Sequence, residues 1–134
     1  MENSRVIFEP HARLSAKEKD LLKWLIENLN GQIIILAESR QEGIMMSDIL
    51  CNGRNIELKT TSGNLNMLDT LLRKAAKQAQ HECAIVNLVH VSYSLQDACA
   101  VALRRMQRSG LREVYLLENG ITKAHLSQNK EEQK

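Results

Sequence analysis

An Asn-Gly dipeptide, Asn52-Gly53, separates two segments of strand-type sequence, Met45–Cys51 and Asn55–Thr60. Asn-Gly is the preferred pair for a two-residue type I′ turn, which joins two antiparallel strands. The turn also sets the strand register, because a slip of one residue would send every side chain to the opposite face of the sheet. The sequence therefore predicts a hairpin with the pairs Cys51–Arg54, Leu50–Asn55, Ile49–Ile56 and Asp48–Glu57.

This register places two carboxylates, Asp48 and Glu57, opposite each other. The Cβ atoms of directly opposed residues lie about 4.5 to 5.5 Å apart, and like charges at that distance are destabilising. Lys59 lies two residues after Glu57 and so shares its strand face. One ammonium would not fill the space between two carboxylates, whereas Mg²⁺ or another divalent cation binds to oxygen ligands of this kind. We therefore expect Asp48 and Glu57 to be metal ligands.

A bound divalent ion polarises a phosphate and generates hydroxide from water, and a neighbouring lysine stabilises the charge that develops. The pattern Asp48, Glu57 and Lys59 thus predicts a metal-dependent phosphodiesterase. The alternative for Glu57 and Lys59 is a solvated strand face, because Glu-x-Lys triplets are common by chance.

The hydrophobic periodicity of the remaining chain predicts an α/β (α+β) fold in one domain over residues 1–126, followed by a flexible polar tail, 127–134. The predicted order is α-β-β-β-α-β-α-β, with a mixed central sheet and helices on both faces. Helices are predicted at 15–29, 66–80 and 96–108, and further strands at 33–38, 84–91, 113–118 and 121–126.

Composition restricts the classes of function. The chain of 134 residues carries 18 basic and 16 acidic side chains, which is too balanced for binding nucleic acid by overall charge, so any such binding must come from local patches. The longest apolar run, Ile33–Ala37, is too short to cross a membrane, and no signal-peptide pattern begins the chain. Three cysteines without a Cys-x-x-Cys pair indicate buried thiols in a reducing compartment.

The segment "SDILCNGRNIELKTTSGN", followed by "LLRKAAKQA" and "CAIVNLV", resembles a known family. A helix, a strand, a strand bearing Asp and a strand bearing Glu-x-Lys form the core pattern of the PD-(D/E)XK nuclease superfamily, here with Ser47-Asp48 where many members have Pro-Asp. The same segments are similar to the C-terminal tRNA-nuclease domain of contact-dependent growth-inhibition (CdiA-type) toxins. By element order the resemblance covers residues 15 to 118, and the residue matches concentrate in 47 to 80.

The resemblance implies an interbacterial toxin module that cleaves tRNA with Mg²⁺, is neutralised by a cognate immunity protein, acts in the cytoplasm and is delivered as part of a larger secreted protein. No delivery region follows Met1, so we expect an excised or orphan module. Carried over to this sequence, Asp48 and Glu57 would be the metal ligands, and Lys59 the catalytic base or charge stabiliser.

The helix Glu of the family maps to Glu18, which would be a further catalytic residue. Ser15-x-x-Glu18 is also a capping box, in which Glu18 accepts a hydrogen bond from the backbone of the N-cap residue. The sequence favours the catalytic and the capping role of Glu18 about equally, and Glu38 and Glu42 are further candidates for the third carboxylate.

The substrate-binding residues expected beside this centre are Lys77 and Gln78, which match the family's Ala-Lys-Gln helix, together with Lys74, Ser62 and Thr60. Ser62 precedes the second helix, whose amino end favours phosphate, although an N-cap role for Asn64 is a simpler use of this segment. A second basic cluster surrounds the end of the third helix at Arg104, Arg105, Arg108 and Arg112. It suits an RNA backbone, but cations also favour helix carboxyl ends.

Three other functions stay open from the residues alone. The first is a DNA endonuclease of the same fold, and the second is a metal-free ribonuclease that uses a histidine such as His81 for acid–base chemistry. The third is a binding module that kept the scaffold and lost the chemistry. Cleavage assays on RNA and DNA with and without metal distinguish them.

Overall fold

We describe the fold from a computed structural model, in which residues 6–10, 12, 14–36, 49–78 and 82–128 are described. The described elements follow one another as β1 (Val6–Phe8), α1 (Ala16–Asn28), β2 (Ile33–Ile35), β3 (Ile49–Cys51), β4 (Arg54–Gly63), α2 (Leu65–Gln78), β5 (Cys83–Val91), α3 (Leu95–Ser109), β6 (Glu113–Glu118) and β7 (Ile121–Ser127). The predicted mixed α/β class is confirmed.

The strands form one seven-stranded sheet whose spatial order equals the chain order. Strands β2, β3 and β4 make an antiparallel meander, while β4, β5 and β6 run parallel because α2 and α3 provide the crossovers between them. β1 pairs parallel with β2 at one edge, and β7 pairs antiparallel with β6 at the other.

Alternate side chains of the sheet enter two separate cores, one on each face. On one face, Ile56 and Leu58 of β4 pack with Leu21, Trp24 and Leu25 of α1. The other face is covered by α2 and α3, whose buried side chains pack against the alternate residues of β5 and β6. Glu57, Lys59 and Thr61 alternate with Ile56 and Leu58, so they point towards the α2 and α3 layer.

Strand β1 was not predicted, and β7 runs to Ser127, one residue past the expected domain boundary. Gln128 also contacts the folded domain, because its backbone N–H donates to the carbonyl of Arg112 at 2.7 Å. Cys51 and Cys83 are buried, as predicted for apolar thiols, whereas Cys99 is only partly buried. In the described ranges, no helix combines the length and apolar character that a bilayer crossing requires.

Candidate active site

The hairpin between β3 and β4 has the predicted register. Asn52 and Gly53 both adopt positive φ, at 53° and 83°, as a type I′ turn requires. The pairs Cys51–Arg54, Leu50–Asn55 and Ile49–Ile56 are formed. Asp48 lies outside the described residues, so its pairing with Glu57 stays a prediction.

Glu57 is the buried acid of this hairpin, with 1% of its side chain exposed. It lies beside Ala84 of β5 and points towards α2. Its carboxylate Oε2 is 3.0 Å from Nζ of Lys59, whose side chain is 29% exposed. A solvated strand face, the alternative considered for Glu57, is therefore wrong, because α2 covers this side of the sheet.

Besides contacting Glu57, Lys59 lines a groove of about 620 Å³ between β4 and α2. The groove is lined by Lys59, Thr60, Thr61, Ser62, Asn64, Asn66, Met67, Thr70, Leu71 and Lys74. Two ammonium groups, those of Lys59 and Lys74, thus line one cavity, next to several hydroxyl and amide groups. Such a lining suits an anionic ligand that also needs neutral hydrogen-bonding partners.

The turn from β4 into α2 shapes one end of the groove. Gly63 has φ of +87°, a conformation that favours glycine, and a Cβ at this position would also displace the end of the Met67 side chain, whose Sδ lies 2.4 Å away. Asn64 then caps the helix, because its Oδ1 accepts the backbone N–H of Met67 at 3.1 Å. The N-cap role predicted for Asn64 is confirmed, and the positive end of the α2 dipole lies beside the groove.

Three of the predicted substrate-binding residues, Thr60, Ser62 and Lys74, line this groove together with Lys59. Lys77 is exposed on α2 and does not line it. The side chain of Gln78 lies outside the described part of the chain, as do Glu38 and Glu42.

Glu18 occupies a capping box at the start of α1. Its Oε1 accepts the backbone N–H of Ser15 at 2.8 Å, and its own N–H donates to Oγ of Ser15 at 3.2 Å. α1 packs on the sheet face opposite to Glu57 and Lys59. The structure therefore gives Glu18 the capping role and does not place it in the groove.

The lining residues that were not identified from the sequence include two threonines, Thr61 and Thr70. Thr61 is buried and follows Glu57 by four residues, so strand alternation places it on the same face as Glu57 and Lys59. Thr70 and Lys74 are four residues apart on α2, where they are neighbours. Both spacings are readable from the sequence, but the packing of α2 over β4 is not.

His125 is one of the described histidines that bear on the metal-free alternative. His125 is hydrogen-bonded to Oε2 of Glu113 at 2.6 Å, and Oε1 of Glu113 accepts from Arg54 at 2.7 Å. Burial raises the pKa of Glu113, but these two hydrogen bonds and the charges of the two partners together outweigh that effect and lower it. The cluster lies at the first residues of β4 and β6, the opposite end of these strands from the groove, and His81 lies outside the described residues.

Within the described ranges, no group of three or more His, Cys, Asp or Glu side chains gathers in metal-binding geometry. The hairpin offers two carboxylates as metal ligands: Glu57, which the structure describes, and Asp48, which lies outside the described residues.

Comparisons of the chain with protein-family models, with characterised proteins and with solved structures give no match.

Proposed function

We propose that this protein is a metal-dependent phosphodiesterase that cleaves RNA, with tRNA as the expected substrate. One observation carries the proposal: a buried carboxylate, Glu57, is paired with Lys59 at the wall of a groove that holds a second lysine, Lys74. Burying a charged pair of this kind contributes little to stability compared with apolar packing, so its presence favours a chemical role.

Asp48 and Glu57 would hold the Mg²⁺ ion. The hairpin register supports this assignment, because Asp48 directly precedes Ile49, which is paired with Ile56, the residue before Glu57. Two carboxylates supply the oxygen ligands that Mg²⁺ prefers, with water completing its shell. When bound, the ion would polarise the scissile phosphate and lower the pKa of a coordinated water.

The residues of the groove bind and orient the substrate. Lys59 is placed to neutralise the charge that develops on the phosphate as the attacking oxygen approaches, since its ammonium contacts Glu57 and the residue lines the cavity. Lys74 would hold the flanking backbone of the substrate. Thr60 and Ser62 also line the groove, but strand alternation turns their side chains towards the face of Ile56 and Leu58. The scarcity of aromatic residues, 3% of the chain, favours recognition through the backbone rather than by base stacking.

The resemblance in residues 47 to 80 extends this proposal to a biological role. We propose an interbacterial toxin module of PD-(D/E)XK type, acting on tRNA in the cytoplasm and opposed by an immunity protein. The succession β3-β4-α2-β5 supports it, because the described parts of the quoted motifs lie on these elements in the expected order.

Cleavage assays test the chemistry. Purified wild-type protein is incubated with total tRNA and, separately, with supercoiled plasmid, in Mg²⁺ or in excess EDTA. We expect tRNA cleavage only with Mg²⁺, and a loss of at least about 10³-fold in Asp48→Asn and in Glu57→Gln, since each variant removes a metal ligand.

Glu18→Gln is the matched control, because it removes the same charge from the opposite sheet face and should leave the rate unchanged. Cleavage that persists in EDTA would support the metal-free alternative. Plasmid cleavage without tRNA cleavage would assign DNA as the substrate, and inactivity on both would favour a binding module.

A further inference from the structure

The charge on this protein is distributed unequally between the two faces of its sheet. α1 carries three basic and three acidic residues, so that face is balanced. α2 and α3 together carry six basic residues against two acidic ones. The small net charge of +2 therefore conceals a strongly cationic layer on the side of Glu57 and Lys59.

Part of this charge surrounds a cleft of about 230 Å³ between α2 and α3. It is lined by Leu65, Asn66, Asp69, Val101, Arg104, Arg105 and Arg108. The three guanidinium groups exceed the single carboxylate by two positive charges. Arg108 lies in the last turn of α3, where the helix dipole favours a cation, but Arg104 lies more than one turn before the end, beyond the range of that effect.

Asp69 holds one of the three arginines in place. Its carboxylate accepts two hydrogen bonds from Arg105, at 2.9 Å from both Nε and Nη2. These bonds lower the pKa of Asp69, and the charges of Arg104 and Arg108 lower it further, so both cations lie near the carboxylate. The side chains of Arg104 and Arg108 are exposed, which leaves them accessible to an external anion.

The cleft and the groove at Lys59 share one lining residue on α2. Asn66 lines both cavities, and Arg73 and Lys77 share with Asn66 the exposed side of α2 that separates them. An α-helix is about 10 to 12 Å in diameter, which matches about three nucleotide steps at ~3.4 Å each. A nucleic-acid strand seated in the groove would therefore reach the cleft within a few nucleotides.

We propose that Arg104 and Arg108 form a second phosphate-binding site, which holds the RNA backbone a few nucleotides away from the bond at Lys59. This inference rests on the proposed function, because it assigns the remote contacts of the same substrate. Arg105 is a positioning residue here, since its bidentate pairing with Asp69 fixes the wall from which the other two guanidinium groups extend.

Equilibrium binding of a fluorescein-labelled RNA 12-mer in EDTA tests the site, because the RNA stays intact without metal. Arg104→Ala/Arg108→Ala is compared with Lys19→Ala/Lys23→Ala, which removes two exposed charges from α1. Each lost contact with a single strand lowers the salt slope of log K by about 0.7, so we expect binding roughly 10- to 30-fold weaker at 0.1 M salt. The α1 control should change little.

Hydrolysis of bis(p-nitrophenyl) phosphate separates the two proposals, since this small diester cannot reach the cleft. We expect equal Mg²⁺-dependent rates in the wild type and the arginine variant. If the wild type binds RNA through the arginines but hydrolyses no diester, the proposed function fails and the second site stands. If the α1 control loses as much affinity, or the arginine variant loses none, the second site is wrong. If the arginine variant loses binding to poly-L-glutamate but keeps its binding to RNA, the arginines form a docking site for an acidic protein, and the second phosphate-binding site is wrong.

Discussion

The ion pair between Glu57 and Lys59 is asymmetric, and this asymmetry gives a sharp prediction about stability. Glu57 is 1% exposed whereas Lys59 is 29% exposed, at an N–O distance of 3.0 Å. In Glu57→Gln the partly exposed ammonium of Lys59 becomes hydrated, so we expect the free energy of unfolding to fall by about 1 kcal/mol or less. In Lys59→Met the carboxylate of Glu57 stays buried without that cation.

The expected cost of Lys59→Met follows from the geometry. At 3.0 Å and an effective dielectric constant of about 20, the attraction between the two charges is about 5.5 kcal/mol. Relaxation around the carboxylate recovers part of it, so we expect a net loss of about 3 kcal/mol. For 134 residues, with an unfolding entropy of about 2.1 cal/mol/K per residue, this lowers Tm by about 10 °C, against less than about 4 °C for Glu57→Gln.

Urea unfolding and calorimetry at pH 7 provide the comparison, with Lys23→Met on α1 as the matched lysine control. The reasoning is refuted if Glu57→Gln costs as much as Lys59→Met, or if Lys59→Met is as stable as the control. Either result would mean that the pair does not hold a buried charge in the folded protein.

Four further predictions concern the scaffold. Leu72→Ala should cost about 3 kcal/mol in urea unfolding, because Leu72 is fully buried between α2 and the sheet; a loss below 1 kcal/mol contradicts the packing. Gly53→Ala should cost about 1 to 2 kcal/mol, since φ is +83° and a Cβ would meet no neighbouring atom; an unchanged Tm contradicts the turn. Asp69→Asn should cost about 0.5 to 1 kcal/mol at pH 7. Because Arg105 lowers the pKa of Asp69, this contribution is present above about pH 4 and disappears as the pH falls further, so wild type and variant should converge near pH 2. Burial, with the nearby charge of Glu113, raises the pKa of Tyr115 to about 12. The free energy of unfolding should therefore fall as the pH rises from about 10 to 12, in step with tyrosinate absorbance at 295 nm. Complete ionisation of the tyrosine at pH 10.5 would contradict this prediction.

The hairpin was predictable because its determinants are local. Asn52-Gly53 specifies the turn, and the turn specifies the register of Ile49 with Ile56. The capping box at Ser15 and the Asn64 cap are local in the same sense, since each is read from three or four consecutive positions.

Other features depend on contacts between distant segments. β1 has only three residues, two of them exposed, so it exists through its pairing with β2 rather than through its own pattern. The burial of Glu57 contradicts the usual polar-outward alternation, because α2 covers the face that alternation would leave to solvent. The cleft at Arg104 and Arg108 likewise requires α2 and α3 to pack side by side.

The central claim is that Asp48 and Glu57 hold one divalent ion beside Lys59. A crystal structure of the protein grown with Mn²⁺, with anomalous data collected for manganese, tests this claim most directly. We expect one strong anomalous peak within about 2.2 Å of a carboxylate oxygen of both acids, and its absence in Glu57→Gln. A peak elsewhere, or Asp48 and Glu57 on opposite faces of the sheet, would contradict the account.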